Sequence, residues 1–316
     1  MNRRQFLAGA AVLAVSPRAL AEAGTTRRIA LVTADLEARL VAVDLATARI
    51  RRRVPTLAQP RSIETVGDRA VVAHSEIGAV TIVHSGSLRV EHVLRDFGEP
   101  RYTAAHPDGR HAYVTDAARG EVVALDVIRG RVLSRARVGD LARHISIDPA
   151  GRKLWIALGA KAELVAVADL ARRDRPRLVR TIRPPFLAHD VAFTPDSKRV
   201  WVSSGDQNQL ALYDRRSGRV LARPPADLPP QHITFRGDRA YVTSGDSGTL
   251  RVYDRNGGEV RLTAVPKGSY NVQHADGWVV TPGLGQGSLC ILDARGRLVR
   301  RRQVAHSSHD ACILSI

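Results

Sequence analysis

Seven dipeptides spaced along the chain carry its most chemically capable side chains: Arg61-Ser62, Arg101-Tyr102, Arg143-His144, His189-Asp190, Gln231-His232, Tyr270-Asn271 and His309-Asp310. The residues that follow at once include Ile63, Ile145, Val191, Ile233 and Val272, so each polar pair opens an apolar run that could not use it for core packing. Arg61, Arg101 and Arg143 offer planar forks that suit a carboxylate or phosphate held bidentately. His189, His232 and His309, with Asp190 or Asp310 beside two of them, have the chemistry of a general base, and the three imidazoles are candidate ligands for copper or zinc. If the seven segments meet, Arg61, Arg101, Tyr102, Arg143, His144, His189, Gln231, His232, Tyr270, Asn271 and His309 form a ligand-binding ring. A polar opening filled with water is the plain alternative.

Other arrangements carry less. His306, His309 and Cys312 have metal-ligand types at H-x2-H-x2-C spacing, but residues three apart on an extended chain face opposite ways, so they converge only if a loop intervenes. Thr281 to Gly287 contains G-x-G-x-G, yet no helix pattern follows to present its amides to a phosphate. Asp206 and Asp246 follow Ser-Gly in similar loops, where turn chemistry accounts for them. There is no G-x-S-x-G, H-E-x-x-H, phosphate loop or C-x-x-C. No cofactor is expected, with copper or zinc the one candidate.

The elements that would bring the pairs together repeat seven times between Ile29 and Leu292. Each unit is an apolar run, a turn, and a second apolar run closing on Asp44, His84, Asp126, Asp169, Asp214, Asp254 or Asp293, at intervals of 40, 42, 43, 45, 40 and 39 residues. The runs are short and rich in Val, Ile, Thr and Tyr, which predicts strands, and the period is that of a four-stranded propeller blade. The fold class is therefore all-β, a seven-bladed propeller. In the third unit, RYTAAH, HAYVTD, EVVALDV and GRVLSRARV follow one another, with Pro107-Asp108-Gly109 as the first turn. The seven dipeptides then start the innermost strands and converge at one mouth of the central channel. Tyr113, Trp155, Trp201, Tyr241 and Trp278 share one register and are expected to pack between sheets; three tryptophans in that register do not make a cofactor platform.

Blade one begins directly with a second-strand sequence, Ile29 to Thr33. Ser308 to Leu314, which reads like Ala188 to Phe193, is expected to supply its innermost strand and close the ring.

HPDGRHAYVTDA, echoed by TPDSKRVWVSSGDQNQLALYD and AYVTSGDSGTLRVYD, resembles the repeats of YVTN-type seven-bladed propellers over nearly all of the chain after its leader. Blades one and two depart from the pattern, with Leu31 and Val71 at the aromatic position. The resemblance implies the fold. It leaves activity open, because similar repeats occur in lactonase-like enzymes, surface proteins and export-linked binding proteins. Two readings follow: a non-catalytic propeller binding a small anionic ligand or partner protein at its polar mouth, and a lactonase-like hydrolase or copper- or zinc-dependent enzyme at the same place. In the second, His189, Asp190, His232, His309 and Asp310 would be catalytic.

The amino terminus predicts where either would work. Asn2-Arg3-Arg4-Gln5-Phe6-Leu7, a short apolar stretch and Ala19-Leu20-Ala21-Glu22-Ala23 read as a twin-arginine export signal over residues 1–23, with 24–316 as the propeller domain and a periplasmic or secreted location. The apolar stretch is too short to span a bilayer, so no transmembrane span is expected in the mature chain, which should be a monomer. Losing three arginines and one glutamate with the leader takes the formal charge from +17 to +15. That excess favours anionic partners. Nucleic acid is not expected, because the arginines are spread over every repeat instead of clustering with aromatics. Cys290 and Cys312 are expected as buried, unpaired thiols, since the strands that carry them are not immediate neighbours.

Overall fold

Runs of about six residues rich in valine, isoleucine and aromatics, bounded by turns of proline, glycine and aspartate, leave strand as the conformation that buries them. A computed structural model describes residues 27–159 and 163–316. The expected leader lies outside these residues. The described chain forms seven four-stranded antiparallel sheets, six of them made of consecutive strands, arranged as a propeller.

The seventh sheet closes the ring. Ala311–Ser315 pairs antiparallel with Arg28–Ala34, with Ile29 opposite Leu314 and Leu31 opposite Cys312, so blade one takes its innermost strand from the carboxy terminus. Mutual backbone hydrogen bonds of 3.0 and 2.9 Å between Arg27 and Ile316 bracket the seam.

Hydrophobic clusters lie between adjacent sheets, and the aromatic column fills them. Trp155 meets Phe193 and Tyr213 edge-on at 6.2 and 5.7 Å between ring centres, and Trp201 meets Phe235 and Tyr253 at 5.4 and 5.9 Å. Trp278 is half-buried at the edge of another cluster. The aspartates that close the third strands are turn residues. Asp44 accepts the Thr47 N–H, Asp126 that of Arg129 and Asp293 that of Arg297.

The G-x-G-x-G segment is a loop between the second and third strands of blade seven. Gly287 sits at φ +54°, and a Cβ there would overlap the Ala305 carbonyl, so backbone crowding is what asks for glycine.

Candidate functional site

In blades three to six the polar pair lies in a β-bulge, two residues of the innermost strand facing one of the second. In blade four, Arg143 N–H donates to Ala157 O while Ala157 N–H donates to His144 O, both at 2.9 Å. In blade six, Gln231 N–H donates to Thr243 O at 2.7 Å and Thr243 N–H to His232 O at 3.1 Å. Register shifts flank Arg101-Tyr102 and His189-Asp190 in the same way. A bulge re-aims the side chains it carries. Hydroxyls on the facing residue hold it: Thr115 Oγ1 accepts from Tyr102 N–H at 3.1 Å and donates to Arg143 O in the next blade at 2.6 Å, and Ser203 does the same for Asp190 N–H and Gln231 O at 2.9 and 2.5 Å.

The bulge splits the pairs by depth. All seven second members, Ser62, Tyr102, His144, Asp190, His232, Asn271 and Asp310, line one cavity of about 160 Å³ in the channel, and none of the first members does. That volume suits a few waters or a small ion, well below the roughly 300 Å³ at which pockets for larger ligands begin. The cavity is also lined by Glu64, Ser146 and Gln273, two residues beyond the pairs on the same strands. These are missing from the expected ring. The alternation that puts Ser62 in the channel continues to Glu64, and a glutamate inside the run SIETV was the available signal.

The first members make an outer layer with a cationic side. Arg61, Arg101 and Arg143 each hold a buried Nε with no hydrogen-bond partner among the described residues. Only Arg101 has a carboxylate, Glu99, at 2.8 Å. Burial, then Arg101 and, more weakly, Arg61, push Arg143 below its ordinary arginine range, which marks the three guanidiniums as mutually repelling neighbours.

The first members on blades six, seven and one are satisfied by their own neighbours. Gln231 Oε1 accepts the Gly245 N–H at 2.8 Å and Tyr270 OH donates to Asp246 at 2.9 Å. His309 Nδ1 lies 2.8 Å from Arg61 O, and the Asn271 amide donates to His309 O at 2.7 Å.

Between these layers, aromatic rings crowd the axis. His144 lies 4.0 Å from Tyr102, 4.5 Å from His189 and 4.6 Å from His232, ring centre to ring centre. Burial above all, with Arg143 and Arg101 next, lowers His189 to about 3, and burial holds His144 and His232 well below the ordinary histidine value. Burial raises the Tyr102 phenol to about 12. The imidazoles are thus neutral at neutral pH.

Asp190 and Asp310, expected as bases, repeat one structural role in two blades. Asp190 accepts from Val191 N–H and, across to the next blade, Ile233 N–H, both at 2.8 Å. Asp310 accepts from Ala311 N–H at 2.8 Å and Ile63 N–H at 3.1 Å. Burial raises Asp190 to about 7 and Asp310 well above the usual carboxylate range, against the pull of those bonds. His232 Nδ1 stands 3.8 Å from Asp190 Oδ2, beyond hydrogen-bond distance.

The expected metal set changes in one member. His144, His189 and His232 offer nitrogens that all lie within 4.8 Å of one another, whereas His309 is turned to Arg61 O. The H-x2-H-x2-C residues do not converge: His306 is exposed against Glu37 at 2.8 Å, and Cys312 is buried in the core cluster between blades one and two. Cys290 and Cys312 are free thiols in different clusters. Among the described residues, no helix is long and apolar enough to cross a membrane.

No family model matches the chain. Over 197 residues it is 24% identical to an uncharacterized protein of Salmonella typhimurium named YncE, covering 60% of this chain and 53% of that one. A Salmonella typhi protein of the same name matches to the same extent. The chain thus aligns with about half the length of these curated relatives. Among solved structures, hydrazine synthase of Kuenenia stuttgartiensis superposes with a TM-score of 0.67 at 19% identity, over 80% of this chain and 89% of that one. Dihydro-heme d1 dehydrogenase NirN, in complex with DHE, superposes with a TM-score of 0.62 at 17% identity, over 87% of this chain and 63% of that one. At these identities the likeness is one of fold, and what the chain shares with them is a propeller.

Proposed function

We propose that this chain is an exported, monomeric propeller of the YVTN type that binds a small oxyanion, carboxylate or phosphate in class, on Arg61, Arg101 and Arg143. One observation carries the reading: three neighbouring guanidiniums keep buried, unpartnered Nε atoms with a single carboxylate among them. A buried donor without an acceptor costs roughly 1–3 kcal/mol, so three at one mouth are best understood as awaiting a ligand that accepts from all of them. Export rests on the Arg3-Arg4 leader, and the likeness to the YncE proteins supports the repeat family. A binding role is preferred to hydrolysis because the carboxylates that might act as base are already bonded to backbone amides.

The test is made on protein recovered from the cell envelope. Phosphate, sulfate, acetate and succinate are added at constant ionic strength while Tm is followed. At least one anion should raise Tm by several degrees, and Arg143→Leu should abolish the rise. An equal rise in that variant, or none in the native chain, overturns the anion reading. Recovery of an Arg3→Lys/Arg4→Lys double variant from the envelope in the same yield overturns the twin-arginine route.

A further inference from the structure

Three imidazoles from consecutive blades meet at the channel axis with their nitrogens uncommitted. No side-chain nitrogen of His144, His189 or His232 makes a hydrogen bond to a described residue, and His144 Nε2 is fully buried without a partner. This is unlike the other histidines of the chain. His74 is bonded through both nitrogens, to Ala58 O and Thr81 Oγ1, each at 2.9 Å. The cluster of His106, Asp108 and His111, similarly compact, is consumed by its own turn: Asp108 N–H donates to His106 Nδ1, and His111 Nδ1 lies 2.7 Å from Asp108 Oδ2. A buried imidazole left without a partner is uncommon and calls for a reason. His144 is such a case, and the half-buried His189 and His232, on the next two blades, bring equally uncommitted nitrogens to it.

We propose that His144, His189 and His232 form a binding site for one divalent transition-metal ion of the kind that favours imidazole, such as zinc or copper. Three neutral histidines are a standard ligand set for such an ion, with a fourth position left to water or an anion. Nitrogens bonded to a tetrahedral ion at about 2.0–2.1 Å stand roughly 3.4 Å apart. The observed separations, within 4.8 Å, therefore close by rotation of the side chains without moving the blades. Ligating histidines are usually oriented by a carboxylate behind them, and Asp190 Oδ2 stands 3.8 Å from His232 Nδ1 in that place. Asp190 is itself held by two backbone amides.

Charge is the main objection, because Arg143 and Arg101 stand close to the trio. Glu64, Asp190 and Asp310 line the cavity that His144 and His232 face, and a cation bound there would favour their ionised form, supplying the opposite sign. The site stands on the histidine geometry alone and does not need the anion reading to be right.

The test uses the full chain without a histidine tag, stripped with chelator and dialysed into buffer free of phosphate and carboxylates. Zinc, copper and cobalt(II) are titrated separately by calorimetry, with cobalt absorption read in parallel. The expected result is one equivalent bound, ligand-field bands typical of a four-coordinate cobalt site, and at least a tenfold loss of affinity in His189→Gln. His309→Gln should bind as the native chain does, since His309 is bonded to backbone and lies outside the trio. If His189→Gln does not fold, imidazole nitrogen NMR of the native chain decides: three histidines should shift with one equivalent of zinc. Absence of stoichiometric binding, binding equally weakened by His309→Gln, or a shift in fewer than three imidazoles overturns the proposal. Metal binding without any anion-induced rise in Tm would leave this site standing and remove the arginine reading; the reverse result would do the opposite.

Discussion

The two sides of the channel mouth are built on one plan and finished differently. On blades six, seven and one, Gln231, Tyr270, Asn271, His309 and Asp310 spend their polar atoms on neighbouring loops and strands. On blades two to four, Arg61, Arg101, Arg143 and His144 leave buried nitrogens without partners among the described residues, and the half-buried His189 of blade five and His232 of blade six join them with nitrogens that make no hydrogen bond to a described residue. The bulge occurs on both sides, in blade six as in blades three to five. Fold requirements therefore explain the first side and do not explain the second. Satisfied polar groups at a symmetric position are frame; unsatisfied ones at the equivalent position are where selection has held something other than stability.

The frame side includes the seam, and breaking it should have the largest effect. Deleting residues 311–316 removes the innermost strand of blade one and exposes the edge of Arg28–Ala34. It also strips the buried Ile313 and Leu314 from two core clusters. An opened ring with two unpaired edges invites association in place of folding. The expected outcome is loss of the cooperative thermal transition by circular dichroism. A sharp transition near that of the full chain would show that the seam is dispensable and would break the frame side of the comparison.

Single residues sharpen it. Asp310→Ala takes the acceptor from two buried amides, Ala311 N–H and Ile63 N–H, each worth roughly 1–3 kcal/mol when orphaned, so a loss of about 3 kcal/mol is expected. Arg143→Leu, on the other side, removes a repelled and half-desolvated cation, and in anion-free buffer should be neutral or mildly stabilising. Denaturant titration of the two variants checks both. Equal losses would mean that the arginine side is frame as well.

The sequence carried the period, the ring closure and the seven polar pairs in full, because strand spacing and turn chemistry are local and repeat. It carried the site only as a ring. The bulge was hidden, since two residues facing one leaves no mark on apolar alternation, and without it Arg143 and His144 look equivalent when they sit in different layers. The trio was misassigned for a related reason. His189 and His309 both precede aspartate and read alike, yet only His189 is free, because Arg61 O happens to face His309. Glu64 and Gln273 read as ordinary strand residues by sequence alone, yet they touch across blade one and join the two sides.

That contact gives the smallest and most specific test. Glu64 Oε2 accepts from Gln273 Nε2 at 2.9 Å and Oε1 from Thr65 N–H at 3.0 Å, but burial outweighs both and raises the carboxyl from 4.5 to about 7. Below about pH 4.5, folded and unfolded chains both hold this proton, and the group makes no difference between them. Between about 4.5 and 7 the unfolded chain has released it and the folded chain has not, so the folded state loses roughly 1.4 kcal/mol for each pH unit, reaching about 3 kcal/mol. Glu64→Gln cannot titrate. Its stability relative to the native chain should therefore be flat below pH 4.5, climb up to pH 7, and level off above. Asp190 pushes the same way and the channel histidines the opposite way, but these are common to both chains and cancel in the difference; Glu64 adds to the rise of Asp310, so that coupling acts in the same direction as the Glu64 term. A difference that does not change with pH would mean the carboxylate is already ionised at neutral pH. Glu64 would then belong with the cations of blades two to five, and the boundary between frame and site would move to include it.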